Sequence, residues 1–278
     1  MSLELIWFCG VDSDSKNKKR LAMKPEIKII NRVPHIILLY WVIKIASTTL
    51  GETGADMFSM TDKLGYGTTI LMFMGLFGIF LAIKLAMKRY EPITYWLTFT
   101  ATAIAGTAIS DYIDRTLGLG YAAGSAILIS LLLVILFFWH LREKTINVES
   151  ITTAPAEVFY WLAFLVANTL GTAAGDFVAD QLGLGFADSA MIFTGSLVII
   201  ALLHFFSKTS SVLLFWLAFV LTRPFGATFG DWLTKPLHSG GLNLGTVGAS
   251  LVFAVILIVA VGRETHLERS GRAIPELD

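Results

Sequence analysis

Cysteine is almost absent. Cys9 is the single thiol in 278 residues, so no internal disulfide can form and cysteine usage points to no redox compartment. Charge is scarce too: Asp, Glu, Lys and Arg make up 15% of the chain, against about 25% in a typical soluble domain. The formal net charge is zero, which argues against a nucleic-acid partner. No HExxH, GxSxG, CxxC or P-loop is present, and His35, His140, His204, His238 and His266 are scattered, so a zinc site of histidine ligands is not expected. No nucleophile–base pairing can be proposed from spacing, and the chain is not expected to be an enzyme. What is abundant is apolar: the hydrophobic fraction is 55% and the mean hydropathy +0.70. Runs of about twenty apolar residues, the length that crosses a bilayer, recur along the chain. They are continuous rather than alternating, which excludes membrane strands. The fold class is therefore an all-α integral membrane protein.

A short pattern organises these runs. An aromatic–Trp pair is followed ten residues later by Gly, four later by a small residue, and then by Asp. The copies are Tyr40-Trp41, Gly51, Ala55, Asp56; Tyr95-Trp96, Gly106, Ser110, Asp111; Tyr160-Trp161, Gly171, Gly175, Asp176; and Phe215-Trp216, Gly226, Gly230, Asp231. Trp to Asp is fifteen residues every time, and the Trp positions are separated by 55, 65 and 55 residues. Copies one and three, like two and four, are thus 120 apart, as expected for a unit duplicated twice.

Each repeat reads as two spans, giving eight transmembrane helices over 34–55, 66–87, 92–112, 121–141, 155–178, 187–207, 211–232 and 244–262. Pro34 and Pro92 suit first-turn positions. Residues 1–33 form a basic tail, with Met23 as an alternative start. Repeats one and two occupy 34–149, repeats three and four 150–262, and a second tail 263–278. Lys44 and Arg223 lie inside spans, and Lys63, Arg115 and Lys235 lie in the links within repeats. Every other Lys and Arg lies in the tails, in the links between repeats or, for Lys84, in the last turn of a span before such a link. The positive-inside rule then puts both termini in the cytoplasm. All four repeats point the same way, so they surround a pseudo-symmetric axis along the membrane normal.

The aromatic–Trp pairs read as an interfacial belt at the cytoplasmic side. The Gly-xxx-small steps let helix backbones approach closely, so the four odd helices form an inner ring and the even ones a lipid-facing layer. Gly118-Leu119-Gly120 and Gly183-Leu184-Gly185 misspace a dinucleotide loop and read as turns. Met72 and Met74 read as core. The Asp lies about 22 Å beyond the Trp along a helix. One such Asp would be a helix end; four around one axis converge into a ring of acids, read as an ion-handling site. Positions seven and four before it read Thr49-Glu52-Asp56, Ile104-Thr107-Asp111, Thr169-Thr172-Asp176 and Pro224-Ala227-Asp231. Glu52 and Asp56 give two carboxylates at i and i+4, suited to a hard cation. Lys44 can reach back to the cytoplasmic side. Arg223, near mid-membrane, requires a carboxylate partner, Glu52 or a ring Asp. Asn168 is the third-repeat counterpart of Thr48 and Arg223.

With these residues, the chain resembles a bacterial family of membrane-anchored proteins built of four tandem two-helix repeats of unknown function, each with a characteristic Trp. Trp41, Trp96, Trp161 and Trp216 carry the resemblance, with Thr48 to Asp56 and Thr169 to Asp176. It implies the architecture over 34–262 and no activity.

The expectation is a transporter of a small divalent cation such as manganese or magnesium, because the donors are all oxygen. Glu52, Asp56 and Asp176 bind the metal, Asp111 and Asp231 shape the outer vestibule, Thr49, Thr172 and Asn168 line the path, and Arg223 supplies competing charge. No cofactor is expected beyond a bound divalent cation, and the partners are the lipid bilayer and that cation. The alternatives are a cation channel or pore with the acid ring as its mouth, or a non-transporting membrane scaffold or sensor.

Overall fold

The structure is a computed structural model and describes residues 32–34, 37–87, 89–148 and 151–270. Among these, the chain forms eight α-helices and no strand: α1 Leu38–Asp56, α2 Gly65–Met87, α3 Pro92–Asp111, α4 Gly120–Glu143, α5 Ala154–Asp176, α6 Gly185–Phe206, α7 Ser211–Thr234 and α8 Thr246–Ser270. The basic tail residues before Arg32, Met23 among them, lie outside the described residues. Local chemistry sets several starts. Pro92 opens α3 behind Glu91, whose carboxylate accepts from the Thr94 amide, and Thr153 caps α5 in the same way through the Ala156 amide. Pro34 does not open a helix, since α1 begins four residues later.

Five residues of π-helix follow the Asp in three repeats: Met57–Thr61, Tyr112–Thr116 and Phe177–Gln181. In the fourth, α7 continues as α-helix to Thr234. The turns before α4 and α6 hold Gly118, Gly120, Gly183 and Gly185 at φ near 70°, a conformation glycine adopts freely. These glycines are turn residues.

The odd helices close a ring, with α1 against α3, α3 against α5, α5 against α7, and α7 against α1. The repeated glycine sits at each of these crossings. A Cβ on Gly51 would lie 2.6 Å from the Ala103 Cβ, on Gly106 3.0 Å from the Thr169 amide, and on Gly226 2.7 Å from the Thr48 hydroxyl. A Cβ on Gly171 would collide with the Arg223 stem. The missing side chain is what lets neighbouring backbones meet.

The even helices lie outside, and each packs on the inner helix of the following repeat: α2 on α3, α4 on α5, α6 on α7, and α8 back on α1. Their buried residues form one narrow stripe, Thr69, Phe73, Phe77 and Lys84 in α2 and Gly124, Leu128, Leu132 and Trp139 in α4. The rest of their surface is exposed Leu, Ile, Val and Phe. Apolar cover on this scale is the surface of a protein that sits in a bilayer. Six helices, α2 and α4 to α8, are long and apolar enough to cross a membrane. The other two, α1 and α3, are inner helices whose polar side chains are buried within the ring: Lys44, Glu52 and Asp56 in α1, and Thr98, Thr102, Thr107 and Asp111 in α3.

The aromatic pairs do not form a belt. Tyr40, Tyr95, Tyr160, Trp96 and Trp161 are fully buried. The first member of each pair turns to the ring axis, where the Tyr95 and Tyr160 hydroxyls meet at 2.5 Å and the Tyr40 hydroxyl lies against both. Trp96 instead donates its indole N–H to Glu264 on α8 (2.7 Å), and Trp216 donates to the Ile146 carbonyl (3.2 Å). At this same end Glu157 accepts Arg32 at 2.7 Å and Lys84 at 3.3 Å. Buried ring stacking and cross-helix hydrogen bonds therefore use these aromatics more fully than a water–lipid boundary would.

Candidate functional site

Five layers of side chains fill the axis of the inner ring, each contributed by equivalent positions of the four repeats. Successive layers are four residues apart along each helix. Rows of i+4 steps are inclined by roughly 26° to a helix axis, so inner helices tilted against one another present such a row to a common line. The layers run from the Trp end to the Asp end.

The first is Tyr40, Tyr95, Tyr160 and Phe215. The second is Lys44 with Phe99, Phe164 and Phe219. The Phe164 and Phe219 rings stack at 4.0 Å, and Phe99 meets Phe164 edge-on at 5.4 Å. Lys44 does not reach the surface. It is fully buried, with its Nζ over the Phe219 ring at 3.6 Å and the Phe99 ring at 5.2 Å.

The third layer is Thr48, Ala103, Asn168 and Arg223, and the fourth is Glu52, Thr107, Thr172 and Ala227. These two interlock. Arg223 donates to the Thr48 carbonyl (2.9 Å), to the Thr107 hydroxyl and to Glu52 Oε2 (3.3 Å). Thr107 and Thr172 donate to the same carboxylate oxygen at 3.2 and 3.4 Å. Arg223 thus has the partner its position demands. Both charges are buried, so each depends on the other.

The fifth layer is the acid ring, Asp56, Asp111, Asp176 and Asp231, all buried. Two cations one turn further on staple it. Arg115 bridges Asp111 (3.4 Å) and Asp176 (3.3 Å), and Lys235 bridges Asp56 (2.8 Å) and Asp231 (3.1 Å). Burial alone would lower the Lys235 pKa, but the carboxylates of Asp231 and Asp56 outweigh it and hold the proton well above the ordinary lysine range.

The ring is therefore two unequal halves. Carboxylate oxygens of Glu52, Asp56 and Asp231 lie within 4.8 Å of one another, close enough to share one metal ion. This corrects the expected trio of Glu52, Asp56 and Asp176. Asp176 faces Asp111 across Arg115, and Asp231 takes its place because α7 rather than α5 packs beside α1. Thr172, on another helix, donates to Glu52. Thr49 is buried, but its hydroxyl finds no partner among the described residues; Thr48, one residue earlier, lies in the axial row. Asn168 stands apart from Glu52 and donates to Thr102 at 3.1 Å.

The residues that sequence reasoning missed are Arg115 and Lys235. The signal was present as an acid–base pair at i,i+4, Asp111 with Arg115 and Asp231 with Lys235. Repeats one and three carry Met60 and Asp180 at that position, so the twofold character of the staples was also readable.

Comparison with known proteins gives a family match. A family model described as a Repeat of Unknown Function (DUF347) fits the chain four times, over residues 39–90, 94–145, 159–210 and 214–270. Each segment starts one residue before the aromatic pair. No curated protein and no solved structure matches.

Proposed function

Since the chain belongs to the DUF347 repeat family, whose description carries no function, we propose from its own residues that it is a carrier of a small divalent cation such as manganese or magnesium. In this reading all eight helices cross a bacterial inner membrane as four parallel repeats, and both termini and the Trp end face the cytoplasm. The tails at 1–33 and 263–278 flank two repeat pairs, 34–149 and 150–262. The acid ring then opens toward the outside.

The observation that carries the proposal is the convergence of Glu52, Asp56 and Asp231 on one point, with the Lys235 ammonium 2.8 Å from Asp56 and 3.1 Å from Asp231. An internal ammonium at an all-oxygen site occupies the place a free cation would take. A divalent ion with oxygen ligands at about 2.1–2.5 Å would displace it, and Lys235, about a quarter exposed, can swing outward. Arg115 suits the opposite role. Its guanidinium is rigid and always charged, so the Asp111–Arg115–Asp176 half remains a brace. Toward the Trp end, three phenyl rings and Lys44 close the axis, which favours a carrier over an open pore.

A second reading has an observation of its own. Every ring acid is already paired, so the ring also works as an electrostatic lock in a non-transporting scaffold. Flux separates the two. Reconstituted in liposomes, the protein should take up manganese saturably, and Asp56→Asn should abolish uptake while preserving the melting temperature to within a few degrees. Absent wild-type flux, or equal flux in the variant, sinks the carrier.

A further inference from the structure

The acid ring leaves Lys44 without a role. Arg32 and Lys84 pair with Glu157, Arg223 with Glu52, Arg115 with Asp111 and Asp176, and Lys235 with Asp56 and Asp231. Lys44 Nζ, wholly buried, has neither carboxylate nor hydrogen-bond acceptor among the described residues. Only aromatic faces meet it, and these offset part of the cost of burying an ammonium. Repeats two, three and four place Phe at the same position, so the amine is a single departure from a phenyl layer. Packing alone would have been served by a fourth apolar side chain.

The groups around it supply a direction. On the Trp-end side lie the hydroxyls of Tyr40 on α1, Tyr95 on α3 and Tyr160 on α5, with Glu264 of α8 behind them. On the Asp-end side lies Arg223 of α7, whose charge acts directly on Lys44, and beyond it Glu52. Of the two axial cations, only Arg223 has a carboxylate, and Lys44 stands one layer behind it without one.

We propose that Lys44 is the proton-exchanging group of this protein, and that its proton and a cation at the acid ring are bound in alternation through Arg223. The inference rests on the cation reading of Glu52, Asp56 and Asp231. In the step, the Lys44 side chain turns toward the Trp end to meet a hydroxyl of the tyrosyl layer, one Nζ–H bond breaks, and the proton passes to that hydroxyl oxygen. That hydroxyl releases its own proton to water at the Trp end, and the amine is left neutral with its lone pair. Like-charge repulsion no longer presses the Arg223 guanidinium onto Glu52, whose carboxylate becomes available to the arriving cation. Reprotonation reverses the sequence and expels the ion.

The test uses the full-length protein in detergent with manganese chloride as probe and a pH-indicator dye in weak buffer. Wild type should release about one proton per bound ion at neutral pH. Lys44→Met, and Lys44→Gln as the fallback for folding, should bind manganese with affinity that no longer changes with pH and release essentially none. Lys44→Arg, which cannot discharge, should bind at least tenfold more weakly. Wild-type binding without proton release, or equal release from Lys44→Met, overturns the proposal. If wild type binds no manganese, the acid-site reading fails instead. Infrared pH-difference spectra of the cation-free protein then decide Lys44 separately. An ammonium band present in wild type and missing from the variant supports proton exchange; identical spectra refute it.

Discussion

Glu52 and Arg223 divide one buried network between them, and the physics of buried pairs makes their roles unequal to their contact energies. Removing one partner strands the other charge in a low-dielectric interior, at a cost of about 3–5 kcal/mol, whereas removing both is often neutral. Glu52→Gln should therefore lower stability to chemical denaturation by about 3 kcal/mol, and Glu52→Gln with Arg223→Met should recover most of it. A double variant no more stable than the single one contradicts the pairing. Lys235 allows a prediction about pH. Its proton is held above the usual value by Asp56 and Asp231. The stability it contributes is thus fully present below the unfolded value of about 10.4, and fades only as pH rises through the higher folded value. Near neutrality the staple keeps its proton, so the proposed exchange calls for a competing cation to open it. Lys235→Gln should bind manganese about tenfold more tightly than wild type, on the scale of one lost charge contact. Calorimetry showing unchanged or weaker binding argues against the tethered-cation role. At this scale the sequence was partly legible. Glu52, Thr172 and the four Asp stood out because intramembrane polar side chains are costly and few. Asp176 and Asp231 exchanged places because no spacing within one helix reveals which helix becomes its neighbour.

The element scale is governed by glycine. Four inner helices meet through positions where a Cβ has nowhere to go, 2.6 Å from Ala103 at Gly51 and 2.7 Å from Thr48 at Gly226. Gly78 on the outer helix α2 has open space around its Cβ direction. Gly51→Val should abolish a monodisperse product in size-exclusion chromatography, while Gly78→Ala should leave it unchanged. Equal tolerance at both sites would show that close backbone approach is not what builds the ring. Helix positions were readable from apolar run length, and the inner and outer roles from the small-residue steps. The π-helical turns after Asp56, Asp111 and Asp176 were not, since a one-residue slip in hydrogen bonding leaves no mark on hydropathy. The aromatic pairs misled for a related reason. Trp and Tyr favour membrane interfaces and buried polar–apolar junctions alike, and only the packing of α8 with Glu264 onto Trp96 distinguishes the two.

For the whole molecule, the order of the ring follows from connectivity. Each outer helix leans on the next repeat's inner helix, and α8 returns to α1, so the fourfold circuit closes on itself. Closure brings repeat four beside repeat one, and with it Asp231 and Lys235 beside Glu52 and Asp56. The same ring order places Arg115 between repeats two and three, so the acid ring is two stapled halves, of which the Lys235 half is the exchangeable one in the proposed function. The central claim is that the exchangeable half binds a hard divalent cation, and its most direct test is isothermal titration of manganese into the purified protein. The account predicts one saturable site in wild type, lost in Asp56→Asn and retained in Asp180→Asn, whose carboxylate lies outside the Glu52–Asp56–Asp231 trio. No saturable binding in wild type, or equal binding by both variants, would contradict it.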